Sequence, residues 1–155
     1  MKRKQIIFLA LSLLATLFIF LNSLKTAELS TKDSSVFVNM VKSAAEFFGA
    51  KEMSQSDIGF ITVIVRKAAH ITEFAVQTLF VSLFIRSLGY NLWEKASAAL
   101  LCGLLTACAD ETLQLFSDGR GSLVTDVLID FIGVILGLCA AFALLYFLRG
   151  AGNRR

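Results

Sequence analysis

Ionisable and polar side chains recur at helical spacing within the most apolar parts of this 155-residue chain. Residues three, four and seven apart lie on one side of a helix. Three such stripes are His70, Glu73 and Gln77; Gly103, Ala107, Asp110 and Gln114; and Asp126, Asp130, Gly133 and Gly137. Imidazole and carboxylate groups grouped in this way can accept hydrogen bonds from a polar ligand or act as a general base.

The composition indicates what must position these groups. Hydrophobic residues make up 56% of the chain, proline is absent, and the mean hydropathy of +0.72 is too high for a soluble domain. Lipid admits helices and closed barrels, and the alternating ten-residue segments of a barrel do not occur in the sequence. The predicted fold class is therefore all-α, an integral membrane four-helix bundle that forms a single domain over residues 1–155.

Four segments are predicted to cross the membrane. They run from about 5 to 21, 68 to 85, 96 to 116 and 123 to 148. The clean apolar part of the third ends at Cys108, short of the roughly 20 residues that a bilayer requires. Asp110, Glu111 and Gln114 therefore belong to this span. An uncleaved first span is favoured over a signal peptide, because no clean small-residue cleavage site follows it.

The charged residues predict how the chain is oriented. Residues from about 35 to 48 have the spacing of an amphipathic helix, which is expected to lie at the membrane interface or cover the bundle, in the first external loop. Basic residues gather at both termini and between Arg86 and Lys95. The positive-inside rule then predicts a multi-pass protein of the cell membrane with both termini cytoplasmic and external loops at 22–67 and 117–122.

The polar residues of three spans are predicted to share one level. At 1.5 Å per residue, His70 lies about 24 Å from Arg86 and Asp110 about 22 Å from Lys95. The same rise places Asp130 in the outer half of its span. An ionised acid facing lipid at a helix centre costs about 2.5–3.5 kcal/mol. These groups are therefore expected to face one another around one polar cavity that opens to the outside.

Nine residues are candidates for binding a ligand in this cavity. They are Lys67, His70, Glu73, Asp110, Glu111, Gln114, Arg120, Asp126 and Asp130. His70 alone would be read as a structural histidine, but Glu73 one turn later and the acids on two other helices favour a functional role. The sequence Asp118-Gly119-Arg120 is also typical of a simple turn. Arg120 is nevertheless expected to pair with the acids around it.

Small residues and cysteines are assigned to packing. Gly103, Gly133 and Gly137 would let helix backbones approach closely. The cysteines Cys102, Cys108 and Cys139 lack metal-ligand spacing and are predicted to be packed thiols, so no disulfide framework or zinc site is expected. No metal ligands are assigned, and the cofactor stays unknown. The net charge of +3 lies at the ends and short loops and predicts no nucleic-acid partner.

Two stretches resemble the VanZ-like family of small bacterial membrane proteins. They are RKAAHITEF, residues 66–74, and DETLQLFSDGRGSLVTDVLIDFIGVILG, residues 110–137, within a resemblance that covers about residues 60 to 140. The chain departs from the family pattern at Asp130, where asparagine is frequent, at Phe74, where tyrosine is common, and before Gly119, where a proline is usual. The resemblance implies a cell-envelope protein. Because the founding member is associated with teicoplanin resistance, it raises the expectation of a contribution to glycopeptide resistance.

The sequence leaves three functions open. A binding module would hold a lipid-linked cell-wall precursor or a lipoglycopeptide, with Arg66, Lys67 and Arg120 pairing with phosphate. A membrane enzyme would act on a phospholipid or such a precursor, with His70 as general base and acids able to bind Mg²⁺ or Ca²⁺. An assembly protein would use the polar groups only to fix helix pairing. Binding is favoured, with the lipid bilayer as a partner, and the absence of a placed nucleophile leaves enzymatic activity undecided.

Overall fold

A computed structural model describes residues 3–49, 53–89 and 91–152 of the protein, and all of its elements are helices. The elements are α1 (Arg3–Ser23), α2 (Ala27–Phe47), α3 (Gln55–Arg86), α4 (Leu92–Gln114) and α5 (Val124–Gly152). Within the described residues, α1, α3, α4 and α5 are long and apolar enough to cross a membrane. The predicted all-α membrane fold is confirmed.

Helix α3 is longer than the sequence analysis indicated, since it begins at Gln55 and not near residue 68. The Ser54 side chain accepts a hydrogen bond from the Asp57 backbone, and the Asp57 side chain accepts one from the Ser54 backbone. This capping box fixes the start of the helix, and apolar residues then continue it. Arg66 and Lys67 consequently lie inside a helix, one turn before His70, and not in a loop.

Helix α2 contains most of the stretch that was predicted to be amphipathic. It packs against α3, and the Ala27 N–H donates to the Asp118 carbonyl at 3.1 Å. Val38 is buried, whereas Phe37 and Met40 are exposed. Helix α2 thus covers part of the bundle while presenting apolar side chains outward, as an interfacial helix requires.

The membrane helices run alternately in opposite directions. The C-terminal ends of α1 and α4 therefore meet the N-terminal parts of α3 and α5 at one end of the bundle, which we call the polar end. There the Ser117 hydroxyl donates to the Ser23 carbonyl at 2.8 Å, and Lys67 pairs with Asp126 at 2.5 Å. At the opposite end, the Gln5 side chain donates to the Ser87 carbonyl at 3.1 Å.

Glycines bring α3 and α5 into backbone contact. A Cβ atom on Gly133 would collide with the Ile71 carbonyl, and one on Gly137 would collide with the Ala75 carbonyl. Gly133 and Gly137 are four residues apart on α5, and Ile71 and Ala75 are four residues apart on α3. Two successive turns of the helices therefore touch, as in other small-residue helix contacts. The two glycines predicted to pack on α5 therefore both lie at the contact with α3.

Helix α4 packs through small residues as well, and its cysteines are exposed. A Cβ atom on Gly103 would be 2.5 Å from the Val134 side chain, and Ala107 is fully buried. Cys102 and Cys108 are each adjacent in sequence to one of these inward positions. They and Cys139 are free and exposed, and the prediction that they are packed thiols is wrong.

Candidate functional site

His70, Asp110 and Asp130 meet inside the polar end, one from each of α3, α4 and α5. The His70 Nδ1 atom is 3.6 Å from an Asp130 carboxylate oxygen and 3.9 Å from an Asp110 carboxylate oxygen. Asp110 is 0% exposed and Asp130 is 2% exposed. We call these three residues the His70 cluster.

Asp110 and Glu111 are also tied to neighbouring helices. The Ser23 hydroxyl at the end of α1 donates to Asp110. The Gln114 amide donates to Asp110 at 3.1 Å and to Glu111 at 2.8 Å. The second Glu111 oxygen accepts from the Leu123 backbone N–H at 3.0 Å, immediately before α5. Both acids and Gln114 therefore have structural partners as well as a place in the site.

A cavity of about 240 Å³, which we call the first cavity, opens beside the His70 cluster. Eight of its eleven lining residues are polar, and they come from α3, α4, α5 and the turn between the last two. The polar lining residues are Arg66, Lys67, His70, Glu111, Gln114, Arg120, Asp126 and Asp130. Seven of the nine candidates from the sequence thus line one space, and Val63, Leu123 and Ile129 add apolar surface.

A second cavity of about 300 Å³ lies between α1, α2 and α3. Glu73 lines this space together with Asn22, Lys25 and Asp33. Asp110 lines neither cavity because it is buried behind them. Glu73 and Asp110 therefore do not line the first cavity with the other seven candidates. Arg66, His70 and Arg120 line both spaces, so the two cavities adjoin.

Arg120 does not form the ion pairs that were expected of it. Its guanidinium donates to the backbone carbonyls of Asn22 at 3.1 Å and Ser23 at 3.2 Å. Across residues 3–49, 53–89 and 91–152 it has no carboxylate within 4.0 Å. The last carbonyls of α1 lack helical partners and carry the negative end of the helix dipole, so they compete with the acids for this cation.

Arg66 and Arg120 give the region between the cavities its positive charge. The Nε atom of each is buried without a hydrogen-bond partner, and neither guanidinium has an ion pair within the described part of the chain. Burial lowers the pKa of Arg120 from its ordinary value, and the neighbouring charge of Arg66 lowers that pKa further. An arginine nevertheless stays protonated in a protein, so both groups remain cations.

Asn22 and Ser23 are site residues that the sequence analysis did not identify. The Asn22 amide donates to Glu73 at 2.9 Å, and the Ser23 hydroxyl donates to Asp110. Glu73 has its second oxygen buried without a partner. The signal was the polar pair that directly follows the first apolar segment, at the end where the other polar residues collect.

Four membrane-crossing helices with a polar site at one end define a small multi-pass membrane protein. The VanZ/LLP1 family model matches residues 8–148, nearly the whole chain, and the protein therefore belongs to this family. The resemblance inferred from the two sequence stretches is confirmed. Neither the curated proteins nor the solved structures provide a match.

Proposed function

We propose that this VanZ-like protein binds the phosphate-bearing headgroup of an envelope lipid at the polar end of its bundle. The observation that carries the proposal is the position of Arg66 and Arg120. Both line the two adjoining cavities, and neither has a carboxylate partner among the described residues although several acids lie nearby. Two such cations at one place form an anion site.

Two of the nearby acids, Asp126 and Glu111, are engaged elsewhere and do not pair with the arginines. Asp126 is paired with Lys67 at 2.5 Å, and Glu111 accepts hydrogen bonds from Gln114 and Leu123. A partly buried cation without a counterion is unfavourable, and a phosphate between the two guanidinium groups would offset that cost. The planar guanidinium also grips phosphate oxygens with two parallel hydrogen bonds.

The surroundings suit a lipid better than a free anion. The first cavity has apolar side chains, including Val63 and Ile129, beside its charged ones, and these would contact the first carbons of a lipid chain. In the second cavity, Glu73 and Asp33 would accept hydrogen bonds from hydroxyl or amine groups of a sugar or headgroup. A lipid-linked cell-wall precursor combines all of these features.

The other candidate residues, the predicted orientation and the expected glycopeptide resistance fit the same proposal. Lys67, His70, Gln114 and the other candidates would contact the ligand or hold its contacts in place. With both termini cytoplasmic, the polar end would face outward, where such precursors are displayed. A protein that holds a precursor there would hinder a lipoglycopeptide from reaching it and so contribute to glycopeptide resistance, teicoplanin included.

Native mass spectrometry of the detergent-purified protein tests the proposal. Arg66→Gln and Arg120→Gln are expected to retain about tenfold to hundredfold less phosphatidylglycerol or polyprenyl phosphate, since charge-assisted hydrogen bonds contribute about 1.5–3 kcal/mol each. Arg86→Gln, at the other end of α3, is the matched control and should retain as much as the wild type. Phosphate-free diacylglycerol should be retained to the same extent by the wild type and by every variant. Equal retention of phosphate lipid by all variants would contradict the proposal.

A second candidate function is a membrane enzyme that acts on the same lipid. The observation that favours it is the His70 cluster, two of whose members line the first cavity. His70 would then act as a general base toward a bound lipid or water. In this case His70→Gln should retain lipid yet abolish release of the headgroup from phosphatidylglycerol or a polyprenyl diphosphate. An assembly role would be the remaining explanation if neither binding nor turnover is observed.

A further inference from the structure

We infer that the His70 cluster binds one divalent transition-metal ion, of the class represented by Zn²⁺ and Mn²⁺. His70 offers its Nδ1 atom, and Asp110 and Asp130 each offer a carboxylate oxygen. These three atoms all lie within 4.8 Å of one another. The inference goes beyond lipid binding and does not depend on it, because it uses neither Arg66 nor Arg120.

The distances fit a metal site after a small adjustment. Zinc lies about 2.0–2.2 Å from nitrogen and oxygen ligands, which puts two ligands of a tetrahedral ion about 3.4 Å apart. The Nδ1 atom of His70 is 3.6 Å from Asp130 and 3.9 Å from Asp110. Side-chain rotations that move these atoms by a few tenths of an ångström would bring them to coordination distance.

Unpartnered atoms provide an independent indication of a missing cation. Asp130 is 2% exposed, and its Oδ2 atom is buried without a hydrogen-bond partner. The His70 Nδ1 atom is buried without one as well. Buried polar groups are nearly always satisfied, and a buried carboxylate is especially costly when it is not. A metal ion held by His70 Nδ1 and the Asp130 carboxylate, whose Oδ1 atom is 3.6 Å from that nitrogen, would offset the cost of leaving these groups unsatisfied.

The local cations do not pair directly with these two aspartates. Lys67 is paired with Asp126, and Arg120 donates to the carbonyls that end α1. Within the described ranges, neither Asp110 nor Asp130 has a lysine or arginine nitrogen within 4.0 Å. Two buried acidic side chains without a cationic partner are therefore left beside one imidazole in a medium of low dielectric, an arrangement that a divalent ion would stabilise.

The neighbouring groups are those expected around a metal. Ser23 and Gln114 donate hydrogen bonds to Asp110 and so orient its carboxylate, as outer-shell partners of metal ligands do. One nitrogen and two oxygens suit zinc or manganese better than a soft metal. Three protein ligands leave further coordination positions open, and His70 and Asp130 both line the first cavity. The open position would take a water or a ligand oxygen from that cavity.

Metal analysis of the full-length protein tests the inference. Protein purified in detergent is stripped with a chelator, dialysed against Zn²⁺ or Mn²⁺, and measured for bound metal per chain. The wild type should hold about one equivalent, and titration with Co²⁺ should give the visible absorption of a nitrogen–oxygen site. His70→Gln and Asp130→Asn should each weaken binding by at least the 10–100-fold that loss of an outer-shell partner causes.

Asp126→Asn is the matched control, since Asp126 lies one turn before Asp130 on α5, lines the same cavity and is paired with Lys67. It should bind metal as the wild type does. No stoichiometric metal in folded wild type, or equal losses in Asp126→Asn and Asp130→Asn, would overturn the inference. If the ligand variants do not fold, the wild type decides: Zn²⁺ but not Mg²⁺ should raise its melting temperature, and no increase counts against the site. Lipid retention by Arg66→Gln is scored separately, so failure of lipid binding is distinguishable.

Discussion

Gly133 on α5 lies against the backbone carbonyl of Ile71 on α3, at a distance that leaves no room for a Cβ atom. Ile71 directly follows His70, and Asp130 lies one turn before Gly133. The backbone contact therefore sets the separation of His70 and Asp130, which is 3.6 Å between their nearest side-chain atoms. Helix packing and the geometry of the candidate site depend on the same glycine.

Gly133→Leu is predicted to impair folding by forcing α5 away from α3. Backbone is the obstacle, so the change cannot be absorbed by a side-chain rotation, and we expect a loss of about 3 kcal/mol or more. Thermal melting in detergent and expression level measure the effect. Gly59→Leu is the control, because nothing lies within 4 Å of a Cβ atom on that exposed glycine of α3. Similar melting temperatures for the two variants would argue against the contact.

Arg120→Lys is predicted to insert and fold but to lose ligand. Lysine keeps the charge but lacks the planar fork that reaches two carbonyls and a phosphate together. We expect a modest destabilisation of about 1–2 kcal/mol and at least a tenfold loss of bound phosphate lipid. Melting in detergent and native mass spectrometry check both parts. If Arg120→Lys and Arg120→Ala both keep full lipid binding and glycopeptide protection, Arg120 acts only in the structure.

Ser23→Ala is predicted to destabilise the bundle by about 1–3 kcal/mol, because buried Asp110 loses a hydrogen bond that no water can replace easily. Ser12→Ala is the matched control on α1, since Ser12 is also buried but donates within its own helix to Leu9 at 2.8 Å. It should change stability little. Equal effects in unfolding titrations would mean that the link between α1 and α4 contributes no stability.

Labelling of introduced cysteines tests the proposed orientation. In a background in which Cys102, Cys108 and Cys139 are replaced by alanine, Ser54→Cys and Gly121→Cys should react with an impermeant thiol reagent on intact cells. Asn91→Cys, at the other end of the bundle, should react only after the cells are opened. All three positions chosen are exposed, so access to the thiol is not limited by burial. Labelling of Asn91→Cys alone would invert the topology and place the polar end in the cytoplasm.

The sequence predicted the helix face and membrane depth of the polar residues better than it predicted their hydrogen-bond and ion-pair partners. Helical periodicity and the 1.5 Å rise were enough to bring His70, Asp110 and Asp130 to one level on inward faces. Periodicity could not choose between acceptors, and Arg120 contacts the carbonyls of α1 rather than the acids. The early start of α3 depends on the Ser54 capping box, a local signal that the sequence analysis did not consider when it began the span after Arg66 and Lys67.

The spacing of residues along the sequence could not have predicted the proposed metal site either. Its three residues come from three helices, so no short motif contains two of them, and their approach depends on backbone contacts such as that of Gly133. The cysteines show the opposite error. Their apolar neighbours suggested burial, but in a membrane protein an apolar exterior is normal, and a thiol can face lipid at little cost.

The most direct test of phosphate-lipid binding is the phosphorus content of the delipidated protein. Wild type and the double variant Arg66→Gln/Arg120→Gln are exchanged extensively into phosphorus-free detergent, and phosphorus is measured per chain by elemental analysis. The wild type is predicted to retain about one phosphate lipid per chain and the double variant almost none, with both proteins equally helical. Equal phosphorus in the two proteins, or none in the wild type, would contradict the assignment of the arginine pair as a lipid phosphate site.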